Sequence, residues 1–458
     1  MFSEVEIFIS ASENLVFTAV VSNNKVIDLK AERRNERKLI GSIFKGIVKK
    51  VCKSLDGYFI DIGLDKEAFL QEKDVCRKLK VGDTVIVQLK RKDTELKGAK
   101  ATCKISIPGK YLVYFPETGK LKISGRLKNF PYADELKKLI GKELKEREGV
   151  IIRASAIRAK EGEILGELNS LRNVWRSILE REKKTCKGIL YEEIPTYARV
   201  IRDYWSFIKE ICVDNADIWK EIHDLFGKDI RDKLRFSRDL DKLTKKFSIY
   251  QLLSKLLSKY VWLKGGGFIV IEQTEAMVVI DVNSGEGCGE SLEENAFKTN
   301  IEALEEIARQ IKLRNLAGMI VIDLIDLKRE ENRKNLLKEA ERIFKNENLK
   351  VKIYGITKLG LLELTRKKDS ESLYEVLGES CPSCNGKGFV KSREFILYLI
   401  EKEIERNIGK KVELRVHPRL FKDVEEFVNR KNLNEWVTIK EVWDEKVDYY
   451  QLLFLEYW

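Results

Sequence analysis

Two aspartates, Asp281 and Asp323, close two short apolar segments, Met277–Asp281 (MVVID) and Met319–Asp323 (MIVID). Between them lie a glycine-rich loop and one strongly periodic helix. Uniformly apolar strands joined by a helix form a parallel βαβ unit, and parallel strands end on the same edge of a sheet. The pattern predicts the two carboxylates side by side at the carboxyl edge, where open α/β sheets place their ligands. Adjacent carboxylates there either hold a divalent cation or repel each other. Asn283 lies two residues past Asp281; on a continued strand it faces the same way and can add an oxygen ligand or orient a water. A single aspartate at a strand end is as readily a turn or cap residue. The convergence of two from one βαβ unit, with Asn283, points to a metal site.

A second set of candidate ligands is the run Cys381-Pro-Ser-Cys384-Asn-Gly386-Lys-Gly388. Two thiolates at this spacing reach one metal, and the glycines permit the tight turn. A redox dithiol is the main rival, but no thioredoxin-like unit surrounds the pair. Structural zinc takes four ligands, and the chain holds one such pair. Two chains giving two cysteines each complete the site most simply, which predicts a metal-linked homodimer; the alternative is a metal-free turn. The other six of the 8 cysteines, Cys52, Cys76, Cys103, Cys186, Cys212 and Cys288, are scattered. That distribution fits a reducing compartment, not a disulfide framework.

The totals narrow the function classes. The 458 residues allow about three or more domains. Lys plus Arg is 86 against 74 acidic residues, a net charge of +12, which favours a polyanionic partner such as nucleic acid. The only 2 histidines, His223 and His417, leave little for a mechanism needing a paired general acid and base; His223 reads as a helix or core residue. No apolar run is long enough for a transmembrane helix, and the N-terminus MFSEVEIFIS lacks the basic region of a secretion signal.

The elements that must position these residues follow along the chain. Residues 1–36 alternate like strands and form a small antiparallel piece that cannot bury itself alone. Residues 37–104 carry strand-like pieces Gly41–Val48, Gly57–Asp61, Ala68–Leu70 and Thr84–Lys90, the spacing of an OB-type barrel. Phe44, Tyr58, Phe59 and Phe69 are interleaved there with Lys45, Lys49, Lys50, Lys53 and Lys66. Phe44 reads as core, whereas Phe59 and Phe69 are candidates for stacking bases. Residues 105–195 mix short strands and helices and include a strand ending on Arg153. A strand-and-helix region runs to about 258, and a leucine-rich helix is expected over Tyr250–Leu263, followed by Gly265–Gly267. Phe268–Ile271 and Met277–Asp281 read as a hairpin. Ser291-Leu-Glu-Glu294 is a capping box, and Phe297, Ile301, Leu304, Ala308 and Ile311 mark the buried face of the helix it starts. A second helix with Leu336, Leu337, Ala340, Ile343 and Phe344 and a strand Val351–Ile356 complete the core; residues 393–458 form a small α/β piece.

These residues carry a resemblance. The run IDVNSGEGCGESLEENAFKTNIEALEEIARQIKLRNLAGMIVIDLIDL, then GITKLGLLELTRKK, then CPSCNGKG, resembles the ribonuclease E/G family, as does the order of parts. In length the chain is nearest to ribonuclease G, without the long disordered scaffold of many ribonuclease E proteins. The resemblance implies a multidomain α/β plus β fold. Residues 1–36 and 196–258 would form an RNase H-like domain. Inserted into it would be the OB-fold RNA-binding barrel (37–104) and a 5′-sensor region (105–195). A DNase I-like catalytic domain (259–377), a zinc link (378–392) and a small dimerisation domain (393–458) would follow, in dimers that pair into tetramers.

The family's Mg²⁺-binding aspartates fall on Asp281 and Asp323, and its supporting asparagine on Asn283. Its zinc ligands fall on Cys381 and Cys384, its barrel aromatics on Phe59 and Phe69, and a barrel lysine on Lys97. The resemblance implies an endoribonuclease that cuts single-stranded, A/U-rich RNA to 5′-phosphate and 3′-hydroxyl ends, in rRNA processing or mRNA decay. Its place would be a bacterial cytoplasm or a plastid stroma. Mg²⁺ would activate water and polarise the phosphate, so no histidine is required. The family reads a 5′-monophosphate with an arginine–threonine pair. Here Arg153 is followed by Ala154, which has no hydroxyl, and a supporting arginine is replaced by Lys350, which lacks the bidentate fork. A weakened 5′-end preference, or one built from other donors, is expected. The rival classes are a non-catalytic RNA-binding protein and a scaffold built on the cysteine pair. Retention of both carboxylates weighs against the first; the second leaves the strand-end aspartates unexplained.

Overall fold

The computed structural model describes residues 3–455 apart from 38, 76, 92–97, 126, 128, 129, 238–248, 286–290, 348, 369, 385, 408, 409 and 445. Cys76, Lys97, Cys288 and Trp458 lie outside the described residues. The chain forms a mixed α/β structure in two compact units, Met1–Leu377 and Gly378–Trp458.

The N-terminal alternation becomes an antiparallel meander of β1 (Val5–Ala11), β2 (Leu15–Ser22) and β3 (Lys25–Arg33). As its pattern requires, it finds cover elsewhere. A later strand, β14 (Ile208–Val213), lies parallel to β1, and β15 (Leu234–Phe236) extends the sheet in the order β15-β14-β1-β2-β3. One face packs Ile7, Ile9 and Val20 against the helices Thr196–Tyr204 and Ala216–Phe226. The other packs Phe8, Ala19 and Leu29 against Leu253, Leu256 and Leu313. His223 lies on the second of those helices, stacked on Trp219.

The chain between β3 and the helix Thr196–Tyr204 is an insertion. Strands β4 (Ile43–Cys52), β5 (Gly57–Asp61), β6 (Ala68–Gln71), β7 (Thr84–Arg91) and β8 (Lys100–Thr102) pair into a closed five-stranded barrel, β4 meeting both β5 and β7. Phe44 and Tyr58 are in its core with Val48, Ile60, Leu70 and Leu89. The next piece has strands β9 (Ile107–Pro108), β10 (Leu112–Phe115), β11 (Leu121–Ile123) and β12 (Gly149–Ile152), with the helices Tyr132–Glu143 and Glu161–Lys184. Strand β13 (Gly188–Tyr191) returns to pair with β4.

The chain then builds a six-stranded sheet from β16 (Tyr260–Trp262), β17 (Phe268–Gln273), β18 (Met277–Asn283), β19 (Gly318–Asp323), β20 (Val351–Ile356) and β21 (Leu361–Arg366). Its order is β16-β17-β18-β19-β21-β20. Only β18 and β19 are parallel neighbours, joined by the crossover helix Leu292–Leu313. That helix and Glu330–Asn346 cover one face with Ala303, Leu304, Ile307, Ile311, Leu336 and Phe344. The expected helix over Tyr250–Leu263 is shorter: it spans Ile249–Leu257, and Tyr260–Trp262 is a strand. Its β-branched and aromatic residues suit a half-buried pleat, and the glycine turn folds it back onto β17 through Leu263 N–H to Gly267 O. Strand β21, which separates β19 from β20, has no counterpart in the sequence reading.

In the second unit, β22 (Lys411–Val416), β23 (Val437–Glu441) and β24 (Tyr450–Leu455) form a sheet ordered β23-β22-β24. The helices Arg393–Glu405 and Pro418–Arg430 bury Ile396, Ile400, Val424 and Phe427 with it. His417 caps the second helix by accepting the Arg419 N–H.

Candidate functional site

Strand β18 buries Val278, Ile280 and Val282, which turns Met277, Val279, Asp281 and Asn283 to its other face. Strand β19 buries Ile320 and Ile322 and leaves Asp323 on that same open face. The parallel register makes Asp281 and Asp323 direct partners. Asn283, one pleat further along, donates from Nδ2 to Asp281 Oδ2 at 2.8 Å. Three side chains of the spacing argument therefore meet at one sheet edge. Both carboxylates are exposed, and no lysine or arginine among the described residues forms a salt bridge with either. Glu363 on β21 shares the face, its partner Val321 lying one pleat before Asp323.

The loops beyond the strand ends are fixed by the crossover helix. Ser291 caps it, its hydroxyl accepting the Glu294 N–H. Asn300 is fully buried among its apolar residues. Its carboxamide accepts the Ile325 N–H at 2.9 Å and donates to the Ile325 carbonyl at 2.8 Å. That closes the backbone two residues past Asp323. Three residues further on, Glu293 accepts from Lys328 N, Arg329 N and Asn332 Nδ2. The Lys328 N–H is foremost in holding the Glu293 carboxyl below the usual carboxylate range. On the β18 side, Gly265 N–H donates to the Glu302 carboxylate. A Cβ on Gly267 would stand 2.6 Å from the Asn283 carbonyl oxygen, so only glycine lets the turn lie against the strand end that carries Asn283. Sequence reasoning missed Asn300 and Glu293. The signal for Asn300 was an amide set in the apolar stripe beside Ile301 and Leu304.

An all-oxygen donor set of two carboxylates and one carboxamide suits a hard divalent cation such as Mg²⁺, which keeps waters and needs only one or two protein carboxylates. Among the described residues no cluster of three or more His, Cys, Asp or Glu side chains could hold a metal.

On the barrel, Phe59 and Phe69 are cross-strand partners with ring centroids 5.4 Å apart, tilted by 57°. Lys50 pairs with Phe59 and Lys100 with Phe69. The outer face thus carries a row of cation, aromatic, aromatic, cation. A Cβ on Gly57 would meet the Phe69 ring at 2.6 Å, so the glycine gives that ring its seat. Lys45 is used elsewhere, donating to the Glu182 carbonyl.

Arg153 follows β12 and is already engaged. It donates to the Gly109 carbonyl at 2.9 Å and to Asp203 Oδ1 at 2.5 Å. Ala154 opens the short helical turn behind it, and Lys350 is exposed just before β20. No hydrogen bond or ion pair among the described residues joins Lys350 to Arg153. Cys381 is exposed and Cys384 half-buried. The Gly388 N–H is foremost, ahead of the Cys381 thiol and the Gly386 and Lys387 N–H groups, in lowering the Cys384 thiol below its ordinary value. A sulfur ringed by backbone donors is stabilised as thiolate, the form a zinc site needs.

The chain has relatives among known proteins. The profile of the Ribonuclease E/G family matches residues 106–369. Ribonuclease G of Haemophilus influenzae is 34% identical over 428 residues, spanning 88% of this chain and 87% of that protein. Ribonuclease G of Escherichia coli K12 is 32% identical over 432 residues, 89% of this chain and 88% of that protein. Ribonuclease E of Escherichia coli K12 is 32% identical over 430 residues, covering 87% of this chain and 40% of that longer protein.

Replacing Asn300 with leucine, close in size, leaves both polar groups of Ile325 unpaired, at a cost of about 1–3 kcal/mol each. The expected result is a folded protein whose 324–329 loop exchanges amide protons faster and whose activity falls together with Asp323 placement. Unchanged exchange in Asn300→Leu would show that the loop is held by something else.

Proposed function

The chain belongs to the ribonuclease E/G family and is an endoribonuclease, a hydrolase acting on RNA; from that premise we propose that Asp281 and Asp323 hold Mg²⁺ at the sheet edge and that the enzyme cuts single-stranded, A/U-rich RNA there. The register pairing of the two carboxylates, with Asn283 bonded to one of them, carries this reading. A bound cation supplies Lewis acidity, drawing charge from the phosphate and acidifying water. The carboxylates fix where that charge sits. Asn283 keeps its amide on Asp281, so that carboxylate has a set rotamer before substrate arrives. Water attacking the phosphorus in line with the P–O3′ bond would form the new P–O bond as P–O3′ breaks and O3′ takes a proton, leaving 5′-phosphate and 3′-hydroxyl ends. Processing of ribosomal RNA and turnover of mRNA are the cellular uses that fit such a cut.

The Lys50–Phe59–Phe69–Lys100 row would hold the strand, its rings stacking bases and its lysines meeting phosphates. Arg153 would read the 5′-end weakly. Asp203 competes with a phosphate for its guanidinium, and Ala154 offers no hydroxyl. Cys381 and Cys384 of two copies would share one zinc, linking a dimer, and a tetramer if dimers pair.

The deciding assay is cleavage of a single-stranded A/U-rich RNA with Mg²⁺, in 5′-monophosphate and 5′-triphosphate forms. Wild type should cut internally, and Asp281→Asn should lose at least about 100-fold in rate, an expectation set by removal of a ligand from a catalytic metal. Binding without cutting, indifferent to that substitution, would make the protein an RNA-binding module. In the same assay Arg153→Ala should erase whatever monophosphate preference exists; an unchanged ratio would remove Arg153 from end reading. The paired variant Cys381→Ser, Cys384→Ser should release zinc and sediment as a smaller species. An intact, zinc-free dimer would contradict the shared site.

A further inference from the structure

Trp262 and Tyr260 are 72% and 56% exposed, large aromatics left in solvent on the edge strand of the catalytic sheet. Between them Val261 packs into the core, so both rings stand on the open face that carries the acid pair. The register gives their positions. Trp262 pairs with Phe268, and Phe268 with Asn283. Tyr260 pairs with Val270, Val270 with Asp281, and Asp281 with Asp323. With strands about 4.8 Å apart, the two aromatics are rooted about 10 Å across the face from Asn283 and Asp281.

The Phe268 ring braces both neighbours without covering them. It lies 5.3 Å from the Trp262 ring at 53° and 6.1 Å from the Tyr260 ring at 55°. Tilted contacts of this kind hold a ring by its edge and leave a flat face open. Contiguous exposed apolar surface of this kind marks an interaction site. Burial under a second copy of the chain is disfavoured by the same rows. A second copy spread inward from Trp262 over this face would take Asn283 and the two carboxylates out of water as well. A nucleobase is different: it stacks on the ring and leaves its phosphate at the polar centre of the face. The acid pair itself contributes no attraction to an anionic strand, whereas a neutral aromatic adds affinity without opposing the cation. Every base has a π-face, and single strands present their bases unpaired.

We propose that Trp262, braced by Phe268 and flanked by Tyr260, is a stacking platform for the unpaired base next to the scissile phosphate. It sets where along the strand the phosphate meets Asp281 and Asp323. The proposal rests on the reading of that pair as the cleavage site.

The test walks a single abasic nucleotide along a short single-stranded RNA. Affinity is measured in chelator, where nothing is cut, and kcat/KM in Mg²⁺. In wild type, removing the base beside the cut should lower affinity or kcat/KM by about 5- to 100-fold, the range of one base stack. Trp262→Ala should lose the same factor on intact RNA and lose nothing more on the abasic strand. Trp262→Phe should recover most of the loss. Abasic positions read by Phe59 and Phe69 should keep their penalty in Trp262→Ala, which marks the variant as folded and RNA-competent. An abasic penalty beside the cut that is identical in wild type and Trp262→Ala would overturn the platform. So would a change in sedimentation of Trp262→Ala with the RNA cycle unmoved, since the ring would then face another chain. If wild type binds but cuts no RNA, the reading of the acid pair fails, and the affinity cycle still decides the platform.

Discussion

Two like charges held opposite each other by a parallel register are the constraint on which this molecule turns. In water-like surroundings such a pair repels by about 1 kcal/mol at contact distance. It persists because the other face of the same strands is core. Val278, Ile280 and Val282 on one strand and Ile320 and Ile322 on the other are buried, and each such side chain contributes about 1.5–3 kcal/mol on burial. A slip of one residue would turn those side chains into solvent and the aspartates into the core. The apolar rows thus dictate where the carboxylates stand, and on the proposed reading the repulsion is the cost of a site prepared for a cation.

The crossover helix is the device that makes the register parallel, and it also shapes both loops around the site. Its apolar stripe closes the core. Three of its polar residues act outward: Glu293 and Asn300 on the chain beyond Asp323, Glu302 on the glycine turn beside Asn283. Its far end is tied down as well. Arg314, fully buried, bonds Gln310, the Ser258 carbonyl and the Tyr374 hydroxyl. Leu313 meanwhile joins the N-terminal sheet. That sheet, assembled from two distant parts of the chain, is a base for the six-stranded sheet and its crossover helix, while the inserted barrel presents its Lys50–Phe59–Phe69–Lys100 row separately.

Short-range pattern made the centre of the molecule legible. Apolar runs ending on aspartate gave β18 and β19, and an alternating four-three spacing gave the helix between them. Alternating residues likewise gave the three N-terminal strands and most of the barrel, with Phe44 inside. What escaped was set by tertiary pairing. The segment Tyr260–Trp262 continues a leucine-rich helical pattern on paper but is claimed by β17 through the glycine turn. Strand β21 carries no strong signal because only Leu362 and Leu364 are core, Leu361 and Thr365 are half-buried and Glu363 is exposed. Positioning residues such as Asn300 escaped because their value lies in a backbone 25 residues away. Lys100 joined the barrel row only once its partner strand was known. Arg153 was found from sequence, but its engagement with Asp203 depends on a helix 50 residues further along.

The measurement closest to the central claim is thermal unfolding of wild type, Asp281→Asn and Asp323→Asn, each in chelator and in saturating Mg²⁺. If the two carboxylates are a strained pair awaiting a cation, both variants should be at least as stable as wild type in chelator. Mg²⁺ at about 100 times its dissociation constant should then stabilise wild type by about 2.7 kcal/mol, and neither variant should gain. Equal Mg²⁺ stabilisation of all three proteins, or variants markedly less stable in chelator, would mean that the aspartates hold the sheet edge together and do not hold a metal.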